Sequence, residues 1–202
     1  MIAPRSRAWK LRLPQPPAGI AGTTGARSGG GSVVARKDIA VPGVILGIGL
    51  GGFVDGILLH QLLQWHHMLS STDTDNVGIR YYSPDTVPGL QMNTLWDGLF
   101  HTFTWLSVLT GLALLYSRVT RSRGRIWRSR ALWGWILVGW GLFNLVEGIV
   151  DHHLLGIHHV RTGPYQTWWD VGFLLFGALL VVAGWGLQRG ASVIDFTRAP
   201  AS

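Results

Sequence analysis

Four apolar blocks constrain this chain more than any other feature: they run from Val41 to Leu63, Leu95 to Tyr116, Leu132 to Val150 and Trp168 to Leu187. Each is close to the roughly 20 residues that a helix needs to cross a hydrocarbon core. Lipid cannot hydrogen-bond a backbone, so spans of this length and glycine content are expected as packed helices rather than barrel strands. Only 13% of the 202 residues are charged against 48% hydrophobic, and the apolar ones are clustered, which excludes an ordinary soluble domain. The expected fold class is all-α, an integral membrane four-helix bundle.

Basic residues set the expected topology. Arg36 and Lys37 precede the first span, and Arg118, Arg121, Arg123, Arg125, Arg128 and Arg130 crowd the link between the second and third. Such regions stay in the cytoplasm. The link between spans one and two carries Asp73, Asp75, Asp85 and a lone Arg80, and that between spans three and four only Arg161, so both belong outside. The chain is thus expected in a bacterial inner (plasma) membrane as a multi-pass protein with both termini cytoplasmic. Residues 1–40 read as a disordered basic tail without a signal-peptide core, 41–188 as the four-span domain and 189–202 as a second cytoplasmic tail. The net charge of +7 comes mostly from the first tail and the arginine link, where anionic headgroups account for it. The lipid bilayer is the expected partner, and no nucleic acid is needed.

An internal repeat carries the most information. Gly47 to His67 aligns without gaps on Gly139 to His159, matching Gly47 with Gly139, Val54 with Val146, Gly56 with Gly148, His60 with His152, Leu62-Leu63 with Leu154-Leu155 and His66-His67 with His158-His159. Asp55 answers Glu147. About half of the aligned positions are identical, including every histidine of the first segment. Trp96-Asp97 and Trp169-Asp170 open the partner spans alike. The bundle is therefore expected as two duplicated transmembrane helical hairpins, repeat one 41–117 and repeat two 131–188. Two units of the same orientation are related by an axis along the membrane normal, with a shared site between them.

Helical periodicity of about 100° per residue puts His60 and His67 on one stripe and His152 and His159 on its counterpart. Asp55 and His66 share a neighbouring stripe, as do Glu147, Asp151 and His158, and Asp97 and His101 stand one turn apart on the second span. All eight histidines fall at the non-cytoplasmic end; His153 points elsewhere. Ionisable groups within a membrane are costly and usually mark a pathway or site. Cysteine is absent, so a metal would be held by nitrogen and oxygen, which suits Fe, Zn or Cu(II), as one or two ions. Candidate ligands are His60, His67, His152, His159, His66, His158, His101, Asp55, Glu147, Asp151, Asp97 and Asp170, with Glu147 and Asp151 also candidate general bases. The plainer reading is that the acids hydrogen-bond across helices; Asn144 is assigned that role, the tryptophans serve as interfacial anchors, and Gly43, Gly47 and Gly51 form a close-packing ridge.

Asp55-Gly56 to His60-Gln61, Gln64-Trp65-His66-His67, Trp96-Asp97-Gly98 to His101, Asn144 to Glu147-Gly148, Asp151-His152-His153 and His158-His159 together resemble a four-span bacterial membrane family catalogued as a domain of unknown function. The resemblance covers about residues 41 to 188 and implies the fold without an established activity. Its association with cytochrome oxidase assembly genes implies metal handling on the outer face. Three classes of function stay open: a metal-dependent oxidoreductase or hydrolase using the histidines as ligands, a non-catalytic metal-handling or assembly factor for a respiratory complex, and a b-type haem protein with axial histidines. The buried acids beside the histidines argue against haem. A homo-oligomer or a respiratory-complex partner is compatible with each.

Overall fold

The computed structural model describes residues 37–191 and 193–195. Of the two tails expected at the termini, residues 1–36, 192 and 196–202 lie outside the described residues. Helix α1 (Ala40–Val54) widens without a break into a π-helical segment, Asp55–Leu62. A short α2 (Thr74–Val77) interrupts the following loop before α3 (Val87–Arg121). Strand β1 (Arg125–Trp127) precedes α4 (Ser129–Glu147), which widens in turn into the π-helical Gly148–Leu154. Helix α5 (Gln166–Arg189) and strand β2 (Val193–Asp195) complete the order. Each of the four expected blocks lies in a helix long and apolar enough to cross a membrane.

Two features differ from the sequence reading. Helix α3 begins at Val87 rather than Leu95, because the Thr86 hydroxyl accepts from the Gly89 amide at 3.3 Å and Pro88 sits in the first turn. At about 1.5 Å per residue its 35 residues run roughly 50 Å, past a core of about 30 Å, so it projects from the hydrocarbon. The second difference is that the fold is not wholly helical. β1 and β2 pair antiparallel, Arg125 opposite Asp195 and Trp127 opposite Val193, which satisfies backbone groups that the link between helices leaves open. Part of the expected second tail is therefore structured. Beside this ribbon Arg125 bridges to Asp38 at 2.8 Å, and Ile39, Ala131 and Ala191 form a small buried cluster.

The helices pack in the order α3, α1, α4, α5: each outer helix lies on the inner helix of its own hairpin, and the inner helices lie on each other. The inner pair meets at Gly47 and Gly139, where a Cβ would strike the Ile136 and Val44 carbonyls respectively. These glycines occupy aligned positions in the sequence and lie where the two hairpins meet. Gly49 receives Thr104 and Val108 of α3 as Gly141 receives Gly177 and Val181 of α5. Half of the apolar window of each inner helix is buried, against 11% for α3 and 17% for α5, so the outer helices meet the lipid.

Beyond the inner helices the two hairpins follow the same path. Leu63 N–H donates to the Leu58 carbonyl at 2.8 Å and Leu155 N–H to Val150 at 2.7 Å; Trp65 donates to Leu59 at 2.9 Å and Ile157 to Asp151 at 3.0 Å. Gln64 and Gly156 then take left-handed backbone angles, φ 49° and 58°. The chain doubles back there and lays each histidine doublet over the end of its helix.

Candidate metal centre

The π-helical segments set the site. In the first copy His60 is wholly buried, with Nδ1 3.1 Å from Asp97 Oδ1 and Nε2 3.2 Å from Asp55 Oδ2. The reversed chain brings His66 beside it, its Nδ1–H donating to the Val160 carbonyl of the other hairpin at 2.9 Å. In the second copy His152 Nδ1 stands 3.4 Å from Asp170 Oδ1, and His158 Nε2 stands 3.5 Å from Glu147 Oε1. Two equivalent triads result, Asp55–His60–His66 and Glu147–His152–His158, and in each the three potential ligand atoms lie within 4.8 Å of one another.

The triads adjoin. Ring centroids are 4.4 Å apart for His60 and His66 and 4.9 Å for His152 and His158, while His66 and His158 stack across the join of the hairpins at 4.9 Å and 3°. Buried without a hydrogen-bond partner are Nε2 of all four imidazoles, Nδ1 of His152 and His158, Asp55 Oδ2 and both Glu147 oxygens. A buried polar atom left so costs about 1–3 kcal/mol, and this concentration of Lewis-basic atoms suits divalent cations. Burial holds the His66 imidazole down to about 4, against the opposing pull of Asp55, and burial with the neighbouring His66 and His152 holds His158 well below the usual histidine range. Both are neutral donors at physiological pH.

Behind each triad stands a carboxylate shared by two imidazoles. Asp97 accepts from His60, from His67 Nδ1 at 2.6 Å and from the Met68 amide at 3.0 Å. Asp170 accepts from His159 Nδ1 at 2.8 Å and from the Val160 amide at 3.0 Å, and faces His152. Carboxylates so placed fix the tautomer and aim of a ligating imidazole.

The structure thus brings together His60, His66, His152, His158, Asp55 and Glu147, with Asp97 and Asp170 behind them. His67 and His159 lie at the periphery: the 3.6-residue stripe that joins them to His60 and His152 does not survive the π-helical segments and the left-handed reversal at Gln64 and Gly156, so the other member of each doublet joins the triad. His101 donates from Nδ1 to the Asp97 carbonyl at 2.7 Å and stands outside both triads, as does the half-buried Asp151. His153 is exposed. Asn144 is buried with Oδ1 unpartnered.

Sequence reasoning missed Asn93, which is fully buried. It accepts from the Leu69 amide at 3.0 Å and donates to the carbonyls of Tyr82 at 2.8 Å and Gly89 at 3.0 Å. It anchors the long first loop over the site. No pattern signals it, because the shorter second loop has no counterpart. The loops also meet directly, with Ser71 N–H donating to the Ile157 carbonyl at 2.9 Å and Arg161 lying over the Trp65 ring at 5.1 Å.

Fold and site together define an integral membrane protein of four spanning helices with a buried histidine–carboxylate cluster at one end. Residues 42–191 match the family described as predicted membrane protein DUF2243, and the chain belongs to that family. No curated protein and no solved structure matches it.

Proposed function

We propose that this protein is a membrane metalloenzyme that holds two divalent transition-metal ions side by side, one in each triad. The reading is carried by the unpartnered inward atoms: four imidazole nitrogens and two carboxylates converge at the join of the hairpins, while the opposite ring nitrogens of His60 and His66 are held by Asp97 and Val160. Neutral nitrogen and carboxylate oxygen favour Fe, Zn or Cu(II). Three protein donors per ion leave a position for water or substrate, the hallmark of catalytic rather than structural sites. Glu147 or the nearby Asp151 would move the proton in an oxidoreductase or hydrolase reaction. A carrier or assembly factor would instead exchange its metal freely. Haem does not fit, since imidazole rings 4.4 to 4.9 Å apart leave no slot for a macrocycle.

The matched π-helical segments, left-handed residues and carboxylate partners support duplication of an ancestral hairpin. The arginines between α3 and α4 lie at the opposite end from the cluster, which supports a site on the non-cytoplasmic face of a bacterial inner membrane.

Elemental analysis of protein purified in mild detergent without chelator tests the reading. Two ions per chain are expected. His66→Ala and His158→Ala should each lose about half or more of the metal, and His153→Ala should keep it. Wild-type protein that stays metal-free after incubation with Fe, Zn and Cu would overturn the assignment.

A further inference from the structure

Two grooves reach the cluster from the lipid-facing flanks, and the repeat makes them comparable. The first lies between α1, α3 and α4, with a volume of about 520 Å³, and is lined by Ile48, Phe100, Phe103, Val146, Glu147 and Asp151 among others. The matching flank between α1, α4 and α5 is divided beside Trp140: the groove that reaches the cluster has about 160 Å³ and is lined at equivalent positions by Trp140, Phe173, Phe176, Val54, Asp55 and Leu59, and a separate space of about 390 Å³ adjoins it at Leu50, Phe53 and Ile57. Two departures from symmetry separate them. Where the first has Ile48 the second has Trp140, whose indole lies against Gly51. Where the first has Asp151 the second has Leu59. Both changes act on one groove, making it wider and more acidic.

The wide groove is suited to a small molecule. Its volume falls in the range of about 300–1,000 Å³ typical of ligand pockets. At its mouth Phe103 and Val146 are 55% and 61% exposed on the surface that meets lipid. At its inner end Glu147 is 5% exposed and both its oxygens lack a hydrogen-bond partner. An occupant therefore needs an apolar body for the walls and a hydrogen-bond donor for the carboxylates. Phosphatidylcholine satisfies the first requirement and fails the second, because its trimethylammonium headgroup and phosphodiester carry no N–H or O–H to donate.

We propose that the groove between α1, α3 and α4 admits a neutral, hydroxyl-headed lipophile from the bilayer, its hydroxyl donating to one of the carboxylates Glu147 and Asp151 beside the metal centre. This rests on the metalloenzyme reading only for what happens to the ligand afterwards; binding itself depends on the groove. The hydroxyl is phenolic in a quinol and aliphatic in a prenyl alcohol, and both present the same donor.

Protein reconstituted in phosphatidylcholine nanodiscs can be titrated with a tritiated decyl-hydroquinone, a fifteen-carbon prenyl alcohol and the dimethyl ether of the hydroquinone. At least one hydroxyl probe should bind saturably, one per chain and at least tenfold tighter than the ether; which one binds identifies the source. Ile48→Trp, which copies the filler of the narrow groove, should abolish that binding, as should Val146→Phe at the mouth if the first variant fails to fold. Asp151→Leu should reduce the preference for hydroxyl over ether several-fold. Equal affinity for ether and hydroxyl probes, no binding of either hydroxyl probe, or binding unchanged in every folded groove variant would overturn the proposal. Metal analysis of the same samples separates the two readings: probe binding to metal-free protein defeats only the metalloenzyme, and metal without probe binding defeats only this one.

Discussion

Asp97→Asn tests the part of the site that gives the imidazoles their direction. The aspartate Oδ1 faces His60 Nδ1 at 3.1 Å and the Met68 amide at 3.0 Å, and Oδ2 faces His67 Nδ1 at 2.6 Å. An amide keeps one acceptor oxygen, so its NH₂ must turn toward a donor on one side or the other. His60 then loses its charged partner or competes for the remaining oxygen. Removing such a partner typically lowers metal affinity 10–100-fold, about 1.4–2.7 kcal/mol at the conversion of about 1.4 kcal/mol per tenfold. Asp170→Asn should fall toward the lower end, because His152 stands farther from its carboxylate, at 3.4 Å. Chelator competition with Zn²⁺ would resolve two sites, and each variant should weaken one of them. The reasoning is refuted if Asp97→Asn binds both ions within twofold of wild type, or weakens both equally.

Further outcomes follow from geometry elsewhere. In metal-free protein, His66 binds its proton near pH 4 when folded and near 6.5 when unfolded. The unfolded state therefore carries more protons in this window, and stability should fall as pH drops from about 6.5 toward 4, by roughly 3 kcal/mol in all, as acid-dependent thermal unfolding in detergent would show. Gly156→Ala should destabilise by about 1 kcal/mol, since it puts a Cβ on a left-handed residue, whereas Gln64→Gly should be neutral or stabilising; matched denaturation curves compare them. Gly47→Leu should prevent the inner helices from meeting at Gly139, and loss of a folded monodisperse peak in size-exclusion chromatography would show it. Reporters after Ser202 and near Arg123 should read cytoplasmic and one near Asp75 should not; an external signal at Arg123 would move the site to the other face.

What the sequence determined by itself was the set of spans and the gathering of the histidines. Hydrophobic length decides that a segment crosses a membrane as a helix, because lipid removes the alternatives, and the alignment of Gly47–His67 with Gly139–His159 pairs every histidine of the first segment with one of the second. The 3.6-residue period holds only through Val54 and Glu147; spacing puts Asp55 and His60 on neighbouring stripes, and it is the π-helical widening that brings their side chains together. Past those residues local rules cease to choose. Either member of a doublet could face inward, and contacts between distant segments decide it: His66 reaches the Val160 carbonyl and Ser71 the Ile157 carbonyl. The same holds for Asp97 and Asp170, whose place behind the ligands depends on how each outer helix lies on its inner one, and for Asn93, whose three partners are all backbone groups that folding brings to it. The difference between the grooves is also tertiary, because a tryptophan fills space only where a facing glycine such as Gly51 lets it lie down.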